Sequence, residues 1–171
     1  IYLDIFPTLS LKEFSNTLAT AIYREFPIHK SAGKKFMDFI KLLRPTIKIN
    51  ALSGEPELML DISQPDQIEK SIPQLFSFLD QQQKKVVIAI DEFQQILSYP
   101  EKNVEAFLRT IIKNLHNISF IFLGSDSKLM IEIFNSAKRP FYGSTNFMVL
   151  NKIPKEEYIS YIMNSFVAAG V

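Results

Sequence analysis

The sequence predicts an α/β domain in which helices flank a parallel β-sheet. Two short apolar runs, residues 86–90 and 118–123, have the length and composition of strands that are buried on both faces of such a sheet. Segments with apolar residues at helical spacing lie before, between and after these runs. This alternation favours a parallel sheet, because each crossover between parallel strands needs a covering element. At 171 residues, the chain fits one domain with a sizeable core.

A strand opens the chain, and the spacing of apolar residues predicts the helices that follow it. Residues 1–6 form a strand that Pro7 closes, and Ser10 with Glu13 predicts a capped helix start. The helical segments are marked by apolar residues three and four positions apart: Leu11, Phe14, Leu18, Ile22 and Phe26; Phe36, Phe39, Ile40 and Leu43; Ile68, Ile72, Leu75, Phe76 and Leu79; Val104, Phe107, Leu108, Ile111, Ile112 and Leu115; residues 129–134; Tyr158, Ile159, Ile162 and Phe166. Pro73 predicts a kink or a late start in the third helix.

Two further regions have strand character. Apolar residues alternate with polar ones over residues 47–49 and 58–62, and Gly54 lies between the two runs. This pattern predicts a β-hairpin insert near residues 46–62, with one packed face and one wet face. Residues 147–150 are predicted to form the last strand of the sheet.

Composition and charge exclude several kinds of protein. The absence of cysteine excludes disulfides, thiolate metal sites and cysteine nucleophiles, and it fits a reducing, cytoplasmic environment. No apolar run approaches the length of a membrane span, so no membrane partner is predicted. The net charge is +1, yet residues 30–48 are rich in lysine and arginine. That cluster fits a solvated face or, with weaker support, a nucleic-acid contact, since no aromatic-basic motif accompanies it.

The most informative motif stands where the first apolar run ends. Five apolar residues lead directly into two adjacent carboxylates, Asp91 and Glu92. The carboxyl ends of parallel strands form the edge at which such sheets bind ligands. This position marks the two carboxylates as the predicted site.

Four segments in a fixed order carry a family resemblance. Tyr2-Leu3-Asp4 resembles the strand that follows a P-loop helix, and Asp91-Glu92-Phe93-Gln94 resembles a Walker B element. Phe120-Ile121-Phe122-Leu123-Gly124-Ser125 resembles a sensor-1 strand, and Arg139-Pro140-Phe141-Tyr142-Gly143 resembles the segment that follows it. Together, over nearly the whole chain, they resemble the P-loop ATPases of the archaeal/bacterial type, which are related to the STAND and AAA+ groups.

The resemblance implies that the intact parent protein binds ATP and Mg²⁺ and hydrolyses ATP. It implies that Asp91 binds the Mg²⁺ ion through water and that Glu92 orients the attacking water. It assigns Ser125, at the end of the sensor-1 strand, to catalysis and to nucleotide binding through the γ-phosphate. It offers Arg139 as a catalytic residue that neutralises charge in the transition state, although Ser144 stands where many relatives carry an arginine.

Each of these residues also has a structural interpretation. Asp91 can cap a helix after the strand, and Glu92 can be a solvated acid in a first helical turn. Ser125 can be a capping or turn serine, and Arg139 can belong to a surface ion pair. Asp126 is predicted to be the N-cap of the next helix.

The phosphate-binding loop of this family is missing from the sequence. The nearest imitation, residues 28–35, has Ile28 in place of the first glycine and Lys35 in place of the hydroxyl residue, and it follows a helix instead of a strand. We therefore expect residues 1–171 to be a single partial ATPase domain, truncated at both ends, without the first strand, the P-loop and the first helix. Such a fragment is expected neither to bind ATP nor to be active alone.

Two other functions stay open at this point. The chain can be a non-catalytic protein-interaction module built on a degenerate P-loop fold, or a nucleic-acid-directed factor. In the family, the strand missing here lies between the sensor-1 strand and the strand predicted at residues 147–150. We therefore expect either that residues 147–150 close the gap, or that two fragments self-associate. A protein partner or an oligomer is expected for the parent.

Overall fold

The computed structural model describes residues 1–27, 29–51, 54–62 and 64–170. Its strands are β1 (Tyr2–Asp4), β2 (Pro45–Ile49), β3 (Pro56–Leu60), β4 (Val86–Asp91) and β5 (Ile118–Phe122). Its α-helices are α1 (Leu11–Glu25), α2 (Ser31–Phe39), α3 (Pro65–Asp80), α4 (Val104–Ile112), α5 (Ser127–Asn135) and α6 (Lys155–Ala168). Short 3₁₀ turns cover Lys41–Leu43 and Phe93–Ser98.

The predicted α/β fold with a parallel sheet is confirmed. The sheet has the order β1-β4-β5, and both pairings are parallel. Asp4 at the end of β1 is the register partner of Asp91 at the end of β4. Because β4 is the middle strand, the carboxylates that follow its apolar run lie between the ends of its two neighbours.

One face of the sheet carries the core. Leu3, Ile88 and Ile90 are buried beneath α1 and α3, and Phe76 of α3 packs edge-on against Phe120 of β5 with ring centroids 5.7 Å apart. Burying such side chains contributes about 1.5–3 kcal/mol each.

The opposite face of the sheet is bare. Tyr2, Val87 and Ile121 are 61%, 50% and 51% exposed. The expectation that β4 and β5 are buried on both faces is therefore wrong. No described helix covers this side, and the apolar residues that the sequence supplies for it remain open to solvent.

The first helix begins as its sequence predicts. The Ser10 hydroxyl accepts a hydrogen bond from the Glu13 amide at 3.3 Å. The Glu13 carboxylate reaches back to the Leu9 amide, at 2.7 Å, one residue earlier than in the usual reciprocal pair. α1 then runs to Glu25 and buries the predicted apolar stripe.

The predicted hairpin is also confirmed, as the antiparallel pair of β2 and β3. Its outer edge packs on α1 through polar contacts. Thr20 Oγ1 accepts from the Leu58 amide at 2.9 Å, and Asn16 Oδ1 accepts from the Leu60 amide at 3.0 Å. These buried helix side chains thus satisfy strand donors that would otherwise lack partners.

Two expectations about individual elements are wrong. The predicted strand at residues 147–150 is wrong, because these residues form no strand and are exposed. Apolar composition alone does not make a strand when no neighbouring edge pairs with it. Of the two alternatives for Pro73, the late start is wrong, since α3 begins at Pro65 and continues through Pro73, and the kink stays a prediction. Ile28, in the rejected imitation of a phosphate loop, lies outside the described residues.

The C-terminal part of the described chain is exposed. α6 has the predicted helical form, yet none of its residues is buried. Across the described residues, no helix combines the length and the apolarity that a membrane crossing requires.

Candidate active site

The ends of the three parallel strands bring together the polar residues predicted from the sequence. Asp91 ends β4, and Glu92 follows it directly. Ser125 lies three residues beyond the end of β5. All strands of this sheet run in the same direction, so these residues meet at its carboxyl edge.

Both oxygens of Asp91 take part in local hydrogen bonds. Oδ1 accepts from the Glu92 amide at 2.9 Å, and Oδ2 accepts from the hydroxyl of Tyr2. The hydrogen bond to Asp91, together with desolvation and nearby carboxylates, raises the pKa of Tyr2 to about 12. At neutral pH the hydroxyl carries its proton, as any tyrosine does, and donates to the carboxylate.

Glu92 has a backbone conformation that is rare for a residue with a side chain. Its φ and ψ are 55° and 43°, in the left-handed region. This conformation costs about 1–2 kcal/mol in a residue other than glycine. The next residue holds it in place, since the Phe93 amide donates to the Leu123 carbonyl at 2.9 Å. Such local strain is typical of functional sites that the surrounding structure over-determines.

An aromatic cluster anchors this turn from below. Phe93 is fully buried, and its ring centroid lies 4.4 Å from that of Phe122 and 5.4 Å from that of Phe141. Phe141 belongs to the segment that resembled the region after sensor 1. Its position explains the apolar residue there as part of the packing that fixes the Glu92 backbone.

The side chain of Glu92 is held by two donors. Ser125 Oγ lies 2.8 Å from Glu92 Oε2, and the side-chain amide of Gln94 donates to the same oxygen. Ser125 is thus not the cap of the next helix, and its hydroxyl binds a side chain of another segment. Its neighbour Asp126 caps α5 by accepting from the Lys128 and Leu129 amides, both at 3.0 Å, as predicted.

Arg139 is placed elsewhere. Nη1 lies 2.9 Å from Glu105 Oε2 and Nη2 lies 3.1 Å from Glu132 Oε1, so the guanidinium joins α4 to α5. Burial raises the pKa of Glu105, and Arg139 acts against that rise. Arg139 therefore forms an ion pair, but its pair with Glu105 is largely buried and not on the surface as predicted. A catalytic role for Arg139 stays a prediction.

The oxygen ligands at the sheet edge fit a magnesium ion whose coordination is completed by water and phosphates. Among the described residues, no group of three or more carboxylate, histidine or cysteine side chains is arranged to hold a metal by itself. Asp91 and Asp4 are register partners at this edge. One or two carboxylates, completed by water and substrate phosphates, are what Mg²⁺ sites of this kind use.

Three residues of the site have no role predicted from the sequence. Tyr2 was assigned only to a strand, because its contact with Asp91 depends on the register between β1 and β4. Gln94 had a signal in its position two residues after Glu92, but its contact needs the left-handed turn. Gly124 stands in the sensor-1 segment without a predicted role, although a Cβ atom there would overlap the side chains of Gln94 and Met130.

Most of the chain matches one known protein family. Residues 8–148 match the family described as the KAP family P-loop domain. The chain belongs to this family. No curated protein matches the sequence.

The KAP-family chain also resembles a solved structure, the Walker-type ATPase PABY2304 of Pyrococcus abyssi. The TM-score is 0.56 at 17% sequence identity, and the likeness covers 100% of this chain and 47% of that one. At this identity the likeness shows the fold alone. The chain spans about half the length of that ATPase chain and shares its fold.

Proposed function

We propose that this KAP-family chain carries the Walker B and sensor-1 elements of an ATP-hydrolysing domain. The hydrogen bond of 2.8 Å between Ser125 Oγ and Glu92 Oε2, beside Asp91, supports this most directly. It joins residues 33 positions apart that the family resemblance assigned to one site. The finer relation to the STAND and AAA+ groups and a cytoplasmic location belong to the same proposal.

Each residue has a stated role in the proposed reaction, which converts ATP and water to ADP and phosphate. Asp91, oriented by Tyr2, holds the water shell of the Mg²⁺ ion. Glu92 orients the attacking water and accepts its proton. Ser125 holds Glu92 and contacts the γ-phosphate. Bound Mg²⁺ supplies charge neutralisation on the phosphates.

The phosphate-binding loop is proposed to lie outside residues 1–171. The sequence contains no glycine-rich loop that ends in Gly-Lys-Ser or Gly-Lys-Thr, although the family it belongs to is a P-loop family. Without the backbone amides and the lysine of that loop, most of the nucleotide charge has no partner. The 171-residue chain is therefore proposed not to bind ATP alone.

Calorimetric titration with ATP and Mg²⁺ tests the proposal. The 171-residue chain should give no heat of binding, and the full-length protein that contains it should bind and hydrolyse ATP. Asp91→Ala in that protein should weaken Mg²⁺-dependent ATP binding at least about tenfold, because it removes the carboxylate that orients the ion's water. The control is Asp61→Ala, which removes an exposed carboxylate that is distant from Asp91 in the sequence. This variant should bind ATP with the wild-type affinity. Equal affinity of both variants would contradict the assignment of Asp91.

A second candidate function, a protein-interaction module, is favoured by the bare side of the sheet. Among the described residues, β5 pairs only with β4. Ile121 on that strand and Val87 beside it are half-exposed. An open strand edge next to an apolar face is a surface with which another chain can pair.

We expect the 171-residue chain to self-associate through this surface. Light scattering over a dilution series should show a mass that rises with concentration. Ile121→Lys should restore the monomer, because it places a charge at the open edge. The matched control is Leu42→Lys, because Leu42 is 89% exposed but lies outside the sheet. This variant should still self-associate. A monomer of wild-type chain at every concentration would contradict self-association.

A further inference from the structure

The side chain of Gln94 is aimed at the carboxylate that the proposed reaction uses. Its Nε2 donates to Glu92 Oε2, and Ser125 Oγ donates to the same atom at 2.8 Å. No described residue donates to Glu92 Oε1. The two donors thus hold one oxygen of the carboxylate and leave the other available.

The orientation of the Gln94 amide is fixed by charge. Its Oε1 is buried and has no hydrogen-bond partner among the described residues. Rotating the amide by half a turn would lose the hydrogen bond to Glu92, because it would place the carbonyl oxygen against that carboxylate. Buried acceptors without partners are uncommon and lower stability, so each one calls for an explanation.

Gly124 makes room for this side chain. A Cβ atom at position 124 would overlap Gln94 Oε1 and the thioether of Met130. Gln94 Oε1 is the end of a flexible side chain, whereas the Met130 atoms are Sδ and Cγ of a buried residue, so a Cβ would displace the amide first. The glycine is therefore required by the close approach of Gln94.

We propose that Gln94 is a positioning residue for Glu92 in ATP hydrolysis. Together with Ser125 it fixes Oε2, so that Oε1 is the oxygen that accepts the proton of the attacking water. This inference rests on the proposed function, and it gives a role to Gln94, which the Walker B resemblance includes without assigning it one. Gln94 acts through Glu92 and does not itself contact the reacting atoms.

The test compares neighbouring glutamines in the full-length protein. Gln94→Met keeps the length of the side chain and removes the donor. It should lower kcat about 10- to 100-fold and leave the KM for ATP within about twofold, because only the orientation of Glu92 changes. Gln95→Met is the matched control. Gln95 lies on the same turn, and its amide donates to the Thr8 carbonyl at 2.9 Å. Its replacement should leave kcat within about twofold of wild type.

Two further variants separate positioning from general damage. In a Glu92→Gln background, Gln94→Met should cause no additional loss of kcat, because the group through which it acts is already changed. Gly124→Ala should reproduce the Gln94→Met phenotype by displacing the amide. If Gln94→Met has the same kcat as Gln95→Met while Glu92→Gln is inactive, the positioning role of Gln94 is overturned. The proposed function then still stands. If the wild-type protein hydrolyses no ATP, the proposed function is overturned and this inference falls with it.

Discussion

Replacing Glu92 by glutamine in the full-length protein should slow ATP hydrolysis by about 100-fold or more while ATP binding is retained. General-base groups of this kind typically contribute about 10²- to 10⁴-fold to the rate. The amide has the same shape as the carboxylate and can still accept the Ser125 hydrogen bond through its carbonyl oxygen. Only the ability to accept the proton from water is lost. Steady-state kinetics, with a separate measurement of ATP affinity, check this result.

The control for this substitution is Glu69→Gln. Glu69 is exposed on α3, so its replacement makes the same chemical change away from the sheet edge. It should turn over like wild type. If Glu92→Gln also keeps the wild-type rate, Glu92 is not the base. The strained turn and its two donors would then serve structure only.

Replacing Arg139 by methionine should lower the free energy of unfolding of the 171-residue chain by about 2–3 kcal/mol at neutral pH, because it leaves Glu105 buried without its cation. The Glu105 side chain is only 11% exposed and that of Arg139 only 26%. Glu132 also loses a partner, but it is 53% exposed and water replaces the contact. Chemical denaturation measures the difference.

The deficit should depend on pH in a defined direction. Burial raises the pKa of Glu105 above its ordinary value of 4.5, and Arg139 is the cause that lowers it. Removing Arg139 therefore raises that pKa further. A raised folded-state pKa gives stability that is present below the unfolded value and lost as pH rises through the folded value. The deficit of Arg139→Met should be small below about pH 4.5 and grow as the pH rises towards neutrality.

Arg24→Met is the matched control for this stability effect. Arg24 forms an ion pair with Glu55 at 2.5 Å, but both side chains are half-exposed. Exposed pairs contribute about 0–1 kcal/mol, so this variant should unfold close to wild type. A cost of no more than about 1 kcal/mol for Arg139→Met would show that the Arg139 cluster is not a stabilising ion pair. The catalytic interpretation of Arg139 would then be favoured over the structural one.

Much of the fold was predictable because its signals are local. The apolar runs at β4 and β5 identified the strands, and capping residues identified the start of α1. The meeting of Asp91, Glu92 and Ser125 was predictable as well, because the carboxyl ends of parallel strands share one edge.

The parts that were missed depend on relations between distant segments. The contact of Tyr2 with Asp91 follows from strand register, and a composition pattern carries no register between parallel strands. The contact of Gln94 with Glu92 follows from a positive φ at a glutamate, which its sequence does not signal. The predicted strand at residues 147–150 failed because strand formation needs a partner edge as well as apolar residues.

The way the hairpin meets α1 has a consequence for how this protein resists unwanted assembly. A strand at the edge of a sheet normally offers a row of amides that an intruding peptide can use as a template. On β3 the outward amides of Leu58 and Leu60 are already bound by Thr20 and Asn16. The helix thus takes the place of a further strand, with side-chain oxygens at the positions where backbone carbonyls would stand. An amyloid-like extension at β3 would first have to displace α1 from the core, so the hairpin is protected by the helix it packs on.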